Sequence, residues 1–328
     1  MDYTNKSEKQ QTKELRLVYG DCALGIHGED FHYIFSYQFG GPESFVMDGR
    51  EWLYRVPKPT FWRATTDNDR GNKFPLRSGM WLSADMFLEC KGIQVFIDDK
   101  EIGLPLAPLN NQYNSREVAQ EVRIIYTYQT ITVPVAMVEV AYAVGANGEI
   151  EVTVHYHGKV GLPELPVFGM RFVAPTKAVS YRYEGLSGET YPDRRAGGIP
   201  GIYEVEGLPV TPYLVPQDCN VHMGTKWLEV YRNSTLDASN KAGNSFGIRF
   251  SGKGQDFAFS CIPYTAQELE NATHQEELPP ARRTVISILG AVRGVGGINS
   301  WGADVEAPYH IDAGKDVKYS FVISKALL

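Results

Sequence analysis

The sequence lacks the features that would place the protein in a membrane or on a nucleic acid. No apolar run reaches the roughly 18 residues that a helix needs to cross a bilayer. Positive charge is scarce as well, because 32 lysines and arginines face 39 acidic residues and leave a net charge of −7. This balance disfavours nucleic acids and anionic membranes as partners. The polar N-terminus has no secretory signal, so we predict a cytoplasmic protein.

Cysteine is also scarce, and its spacing argues against a metal or disulfide framework. The four cysteines lie far apart and form no Cys-x-x-Cys pair, so we interpret them as reduced thiols. The sequence is 43% hydrophobic, which is enough for a sizeable core, and it has no low-complexity linker or internal repeat. We therefore predict a loose N-terminal tail over residues 1–14 and one domain over residues 15–328.

Hydrophobic residues recur mostly with the period of two that is typical of half-buried strands. In the stretch IEVTVHYH, residues 150–157, apolar and polar side chains alternate. Similar runs rich in β-branched and aromatic residues predict strands over residues 31–37, 122–128, 135–144, 150–157, 168–173, 257–262, 284–289 and 317–323. One clear helix is predicted over residues 265–274, where Thr265 and Glu268 form a capping box.

The shortage of helices decides the fold class. A (β/α)₈ barrel needs helices between its strands, and these are missing. The pattern therefore predicts an all-β protein, a large antiparallel sandwich with few short helices.

Two stretches begin like ligand-binding loops but do not complete the pattern. The glycine-rich run AVRGVGGINSWGADV, residues 291–305, lacks the Gly-Lys-Ser/Thr of a phosphate loop and the βαβ setting of a dinucleotide site. The run TDNDRG, residues 66–71, has its glycine at the fifth position and Ser78 at the twelfth, which excludes an EF-hand. We interpret it as a capped tight turn, with Arg63 and Arg70 as partners for its aspartates.

The sequence contains no complete set of catalytic residues or metal ligands. His155 and His157 point to one side of a predicted strand, but no third ligand clusters with them. We interpret the pair as a polar strand face and predict no metal or cofactor in this chain. The sequence also has no Gly-x-Ser-x-Gly motif and no carboxylate pair marked as an acid and a nucleophile.

Trp301 is the residue that the glycine-rich run leaves unexplained. Its neighbours, among them Gly297, Asn299 and Gly302, are not typical of a core. A tryptophan on such a loop is typical of a flat platform for a sugar ring or a protein partner. Packing of the indole into the core at the edge of a sheet is the alternative, and the residues alone leave both open.

Five segments carry a specific resemblance: FWRATTDNDRG (61–71), YRYEGLSGETYPDRRAG (181–197), TPYLVPQDCNVHMGTKWLEV (211–230), FSCIPYTAQELENATHQEEL (259–278) and RGVGGINSWG (293–302). In this order they resemble the small chain of the two-chain β-galactosidases of glycoside hydrolase family two. The resemblance implies a galactose mutarotase-like super-sandwich. It also implies that both catalytic glutamates, and any Mg²⁺ or Na⁺, belong to a large partner chain with a barrel domain.

The resemblance further implies roles for individual residues. Trp301 would reach the active site of the partner and stack on the sugar, with Asn299 and Asp218 as further substrate contacts. Many relatives have two aspartates where this chain has Ile298 and Asn299, so the polar contacts of the loop are expected to differ. We expect the partner to be contacted by the polar-flanked aromatic segment that contains Phe61, Trp62, Arg63, Asp67, Asp69 and Arg70.

The function implied is that of a subunit of a lactose-hydrolysing, retaining β-galactosidase that is inactive without its large chain. The expected partners are the large chain and a β-galactoside, with no nucleic acid and no membrane. A stand-alone sugar-binding or aldose mutarotase-like protein is the alternative. His155, His157 and His222 are the plausible bases for mutarotation, but no mutarotase motif surrounds them.

Overall fold

The computed structural model describes residues 13–106, 112, 116–239, 243–299 and 301–326. Most of the predicted tail, residues 1–12, lies outside this range. In the described residues the strands form three sheets, and every strand pairing is antiparallel. The predicted all-β fold class is therefore confirmed.

The largest sheet has ten strands. Its strands, in spatial order, are β15 (Pro200–Glu206), β14 (Ser180–Leu186), β17 (Trp227–Arg232), β18 (Phe246–Gly252), β21 (Val317–Lys325), β12 (Ile150–His157), β11 (Met137–Gly145), β10 (Glu121–Gln129), β7 (Glu89–Ile97) and β8 (Lys100–Ile102). In β12 buried and partly exposed residues alternate without interruption, so one face of the sheet is covered and the other faces solvent.

Two smaller sheets complete the sandwich. The six-stranded sheet contains β5 (Arg50–Glu51), β4 (Gly41–Met47), β3 (Phe31–Ser36), β2 (Ala23–His27), β1 (Leu15–Tyr19) and β9 (Val118–Ala119). The five-stranded sheet contains β16 (Val221–Thr225), β19 (Phe257–Ile262), β20 (Thr284–Val292), β13 (Val167–Ala174) and β6 (Lys58–Thr60). All eight strands predicted from the sequence are present in these three sheets.

Aromatic side chains hold the layers together. The six-stranded sheet packs on the covered face of the ten-stranded sheet where Phe35 meets Tyr142, with ring centroids 5.6 Å apart. The five-stranded sheet packs on the same face where Phe168 meets Tyr156, with centroids 5.5 Å apart. Every residue of β13 is buried, so the five-stranded sheet is covered on both of its faces.

The helices are short. They are α1 (Asp67–Gly71), α2 (Phe74–Ser78) and α3 (Ala266–Asn271), with 3₁₀ turns at Gly79–Trp81, Gln275–Glu277 and Ala307–Tyr309. The predicted capping box of α3 is confirmed, since the side chains of Thr265 and Glu268 each bind the other's backbone N–H. None of the helices in the described part of the chain is long and apolar enough to span a membrane. All four cysteines are free thiols.

Candidate functional site

The glycine-rich segment after β20 forms a loop that presents Trp301 to solvent. The indole side chain is 91% exposed, and Ile298 in the same loop is 55% exposed. This excludes the alternative in which Trp301 packs into the core. We call residues 293–305 the tryptophan loop.

The backbone of the tryptophan loop is clamped at its start by Asp193. The Asp193 carboxylate accepts hydrogen bonds from the Val295 N–H at 3.0 and 3.1 Å and from the Gly296 N–H at 2.8 Å. A Cβ at Gly294 would lie 2.8 Å from this carboxylate, so the close approach requires glycine. The side chain of Asn68 donates to the Val295 carbonyl at 2.9 Å and fixes the loop from the other side.

The far end of the loop turns tightly over α1. Asn299 Oδ1 accepts hydrogen bonds from the Trp301 N–H at 2.9 Å and from the Ala303 N–H at 3.3 Å. Gly302 has a φ of +79°, and a Cβ there would meet the Gly71 carbonyl oxygen at 2.7 Å. The predicted substrate residue Asn299 thus lies beside Trp301, but its side-chain oxygen shapes the turn that points the indole outward.

A buried ion-pair network lies beneath the loop. Asp69 accepts from Arg63 Nη2 at 3.1 Å and from Arg293 Nη1 at 3.0 Å, and all three side chains are at most 3% exposed. Arg63 also donates to the Gly294 carbonyl at 3.0 Å, which joins the network to the loop backbone. Charges buried this deeply are stable only when they are paired, as these three are. The Nε and Nη1 atoms of Arg63 have no hydrogen-bond partner in the described part of the chain.

The network continues outward along Arg293 to the end of the loop. Arg293 Nε donates to Glu164 at 3.2 Å, and its Nη2 binds Asp304, which is also paired with Arg77 at 2.5 Å. The guanidinium of Arg293 lies 4.0 Å from the ring centre of Phe74, a cation–π contact. Burial raises the pKa of Asp304, but the Val305 N–H and the two arginines outweigh it, and the pKa lies below its usual value.

The segment predicted to contact a partner is mostly buried, which corrects that expectation for four of its six residues. Phe61, Trp62, Arg63 and Asp69 are at most 3% exposed, because Phe61 and Trp62 pack in the core and the other two form the ion-pair network. The side chains of Asp67 and Arg70 remain accessible and pair at 2.9 Å. The 61–71 motif therefore supports the tryptophan loop. Of the six residues expected to contact a partner, only Asp67 and Arg70 are exposed enough to do so.

Residues Asp67–Gly71 form helix α1, and Thr66 is its N-cap in a capping box with Asp69, where the sequence predicts only a capped turn. The prediction that Arg63 and Arg70 pair with the aspartates of the motif is confirmed, and the structure pairs Arg63 with Asp69 and Arg70 with Asp67. The sequence motifs 181–197 and 293–302 contain Asp193 and Arg293, but they gave neither residue a role in holding the loop. The only local signal for Arg293 was a charge beside a glycine-rich run, and Asp193 is distant from that run in the sequence.

Asp218 lies next to α1 rather than in the tryptophan loop. Its neighbour Gln217 accepts from the Asp67 N–H at 2.8 Å, and Asp218 itself accepts from the Tyr191 hydroxyl at 2.9 Å. Burial raises the pKa of Asp218 to about 6, and this effect is only partly offset by Arg63 and by the Tyr191 hydrogen bond. Asp218 can therefore gain or lose a proton in the mildly acidic range.

Of the three histidines considered as bases for mutarotation, His222 is buried in the core and the other two lie on the surface of the sheet. His222 is 3% exposed and stacks on Phe259 with ring centroids 4.7 Å apart, and burial lowers its pKa to about 4. His155 and His157 lie on the outer face of the ten-stranded sheet. The expectation that no third ligand clusters with them is wrong, because Glu139 of the neighbouring strand lies beside both.

The chain resembles known proteins over most of its length. Residues 27–323 match the family described as "Beta galactosidase small chain". The chain is 63% identical to the "Beta-galactosidase small subunit" of Latilactobacillus sakei, over 95% of this chain and 98% of that protein. It is 31% identical to the "Beta-galactosidase" of Halalkalibacterium halodurans, over 98% of this chain but only 29% of the relative.

Solved structures give a weaker likeness. A putative aldose 1-epimerase from Escherichia coli K12 aligns over 96% of this chain and 99% of its own with a TM-score of 0.42 and 10% identity. A likeness at this level carries no functional conclusion. The family match and the full-length relative confirm the resemblance drawn from the sequence motifs, and the chain belongs to the beta-galactosidase small-chain family.

Proposed function

We propose that this chain is the small subunit of a two-chain retaining β-galactosidase in the cytoplasm, and that it completes the active site of a large chain. The observation that carries the proposal is Trp301. A 91% exposed indole on a loop fixed by Asp193, Asn299 and the buried ion-pair network has the properties of a preorganised platform. A tryptophan exposed in this way contributes much binding free energy when a ligand or a partner covers it.

The share of each similar protein that this chain spans supports the existence of a partner chain. This chain spans 98% of the small subunit from Latilactobacillus sakei, but 27–29% of the relatives from Halalkalibacterium halodurans, Streptococcus thermophilus and Lactobacillus delbrueckii that are named "Beta-galactosidase". The proposal places the remaining part of such an enzyme, including its catalytic glutamates, on the large chain. Any Mg²⁺ or Na⁺ needed for catalysis would bind there as well.

The reaction would proceed by double displacement at the anomeric carbon. One glutamate of the large chain would attack and form a galactosyl–enzyme, while the other would protonate the leaving oxygen and then activate water. The contribution of this chain would be binding and orientation. The indole of Trp301 would pack on the C–H face of a sugar ring at the entrance and exclude water from that side.

A second exposed feature next to the loop supports docking of the large chain. In α2 and the turns that follow it, five apolar side chains are 42–83% exposed: Leu76, Met80, Leu82, Met86 and Phe87. The ion pair between Arg77 and Asp304 ties this segment to the tryptophan loop. Because a cluster of exposed apolar residues marks an interface, we propose that the large chain covers it.

The proposal is tested by reconstitution. The purified chain alone should hydrolyse no lactose and no chromogenic β-galactoside, and activity should appear when the large chain is added at micromolar concentration. Size-exclusion chromatography of the same mixture should show both chains in one earlier peak. Turnover by the rigorously purified single chain, or unchanged elution volumes together with no gain in activity, would contradict the proposal.

The docking surface has its own test. Met86→Ser in the exposed segment should weaken assembly, because it removes apolar area from the interface. Val160→Ser, at a residue that is 83% exposed in a different loop, is the matched control and should assemble normally. Equal assembly of both variants would show that the large chain does not cover residues 76–87.

A further inference from the structure

The outer face of the ten-stranded sheet brings two histidines and a carboxylate together. Glu139 of β11 lies directly opposite His155 of β12 in the antiparallel register, and His157 follows two residues later on the same face. His157 Nε2 lies 3.4 Å from Glu139 Oε2, and the rings of His155 and His157 have centroids 3.9 Å apart. One ligand atom from each of the three residues lies within 4.8 Å of the other two.

We propose that Glu139, His155 and His157 form a binding site for a divalent transition-metal ion of the Zn²⁺ type. Two imidazole nitrogens and one carboxylate oxygen are a donor set that suits zinc, cobalt and nickel rather than magnesium or calcium. Tetrahedral ligands at the usual zinc distances lie about 3.4 Å apart. Side-chain rotations that move the ligand atoms by about 1 Å would therefore bring them to these distances without movement of the backbone.

Asp316 supplies the outer support that metal-binding histidines usually have. Its Oδ2 lies 2.8 Å from His155 Nε2, while its Oδ1 accepts from the Gly158 N–H at 2.9 Å. A proton on Nε2 directed at Asp316 leaves Nδ1 of His155 free of hydrogen and able to coordinate an ion.

The surroundings distinguish this site from a second group of similar composition. Glu164, Asp304 and His310 also lie close together, but Arg293 and Arg77 already neutralise that group as part of the network under the tryptophan loop. No arginine pairs with Glu139 among the ion pairs of the described residues, where its partner is His157. Lys318 stands opposite His155 on the neighbouring strand β21, on the side of β12 away from Glu139.

The site would join the neighbouring strands β11 and β12. Its residues are far in the sequence from the tryptophan loop. Its fourth position is open to solvent, because His157 and Glu139 have side chains that are 39% and 45% exposed. Water or a carboxylate from another molecule would complete the coordination. The inference departs from the prediction of no metal in this chain and does not depend on the proposed β-galactosidase function.

The test uses Co²⁺ and Zn²⁺ with the full-length chain. Cys22 is an exposed free thiol, so every protein in the experiment carries Cys22→Ser to remove a competing ligand. Co²⁺ is titrated first, and the visible absorption of the bound ion reports its geometry. Zn²⁺ is then titrated by calorimetry for stoichiometry and affinity, and circular dichroism confirms that each variant is folded.

We expect one ion per chain, with a tetrahedral Co²⁺ spectrum that Zn²⁺ displaces. His157→Ala and Glu139→Gln should abolish the spectrum, and Asp316→Asn should weaken Zn²⁺ binding about 10- to 100-fold, as loss of an outer partner typically does. His27→Ala is the matched control, because His27 stacks on His32 at 5.7 Å in a histidine pair outside the site. It should leave binding unchanged.

Three results would overturn the inference. They are the absence of Co²⁺ and Zn²⁺ binding up to millimolar concentration, binding that His157→Ala and Glu139→Gln leave intact, and binding that His27→Ala removes. The thermal midpoint gives a second readout, because an ion that binds only the folded chain raises it. Zn²⁺ should raise the midpoint of the Cys22→Ser protein and not that of the His157→Ala variant.

Discussion

The substitution Asp69→Asn tests the buried network that supports the tryptophan loop. Asparagine has nearly the same size as aspartate and retains an oxygen for the Thr66 N–H, which Asp69 accepts at 3.0 Å. What it removes is the charge between Arg63 and Arg293, whose side chains are 3% and 0% exposed. Two buried guanidinium groups would then share a site without their common counterion.

The size of the effect follows from that burial. Removal of one partner from a buried ion pair costs about 3–5 kcal/mol, because the remaining charges are desolvated and unpaired. For a chain of this length, we expect about 2 °C per kcal/mol, so the thermal midpoint should fall by roughly 6–10 °C. Asp67→Asn is the matched control, because the same change in the same helix affects an ion pair whose aspartate is 72% exposed. It should cost less than about 1 kcal/mol.

Thermal unfolding of the two variants and the parent, followed by circular dichroism in one buffer, measures the difference directly. In the assembled enzyme, Asp69→Asn should also raise KM, because Arg63 holds the Gly294 carbonyl at the base of the loop. If both variants lowered the midpoint by the same amount, the buried network would not stabilise the fold more than the exposed ion pair does.

Two further predictions concern Asp218 and Gly302. Burial raises the pKa of Asp218 to about 6 from about 3.9 in the unfolded chain, so its ionisation opposes folding increasingly as pH rises through this range. Asp218→Asn should therefore add up to about 3 kcal/mol of stability at pH 8 and little at pH 4 in urea titrations, and an equal gain at both would contradict the assignment. Gly302→Ala should lower the thermal midpoint more than Gly207→Ala, since both have positive φ but only the Gly302 Cβ meets an atom, the Gly71 oxygen at 2.7 Å. The positive φ alone should cost each alanine variant about 1 kcal/mol. Equal thermal midpoints for the two variants would refute the contact at Gly302.

The strands were predictable because the burial of alternate residues produces a local pattern of alternating apolar and polar residues in the sequence. The predicted bounds of β12 and β19 match those of the structure, and both strands are flanked by turn residues. Helices α1 and α2 were not predicted, because five residues are too few for a helical period to be visible. The capping box at Thr66 stabilises α1, whereas α2 has no side-chain cap and depends on the packing of residues such as Phe74.

The candidate site was predictable only in its exposed part. A tryptophan among glycines signals a platform, and Trp301 is indeed exposed. Phe61 and Trp62 were expected at an interface but are buried, since aromatic residues beside polar ones look alike in sequence whether they face a core or a partner. The ion pair between Asp69 and Arg293 joins residues 224 positions apart, and the contact of Glu139 with His157 depends on strand register. Neither can be read from local spacing.

The central claim is that Trp301 binds the sugar when the two chains are assembled. The most direct measurement is KM and kcat for lactose with Trp301→Ala, Trp301→Phe and the control Val160→Ala, each reconstituted with the large chain. Loss of an aromatic stack costs about 1–3 kcal/mol, so Trp301→Ala should lower kcat/KM roughly ten- to a hundredfold, mainly through KM. Trp301→Phe should recover part of the loss, and Val160→Ala should behave as the parent. A Trp301→Ala enzyme that is fully assembled and has unaltered kinetics would contradict the claim.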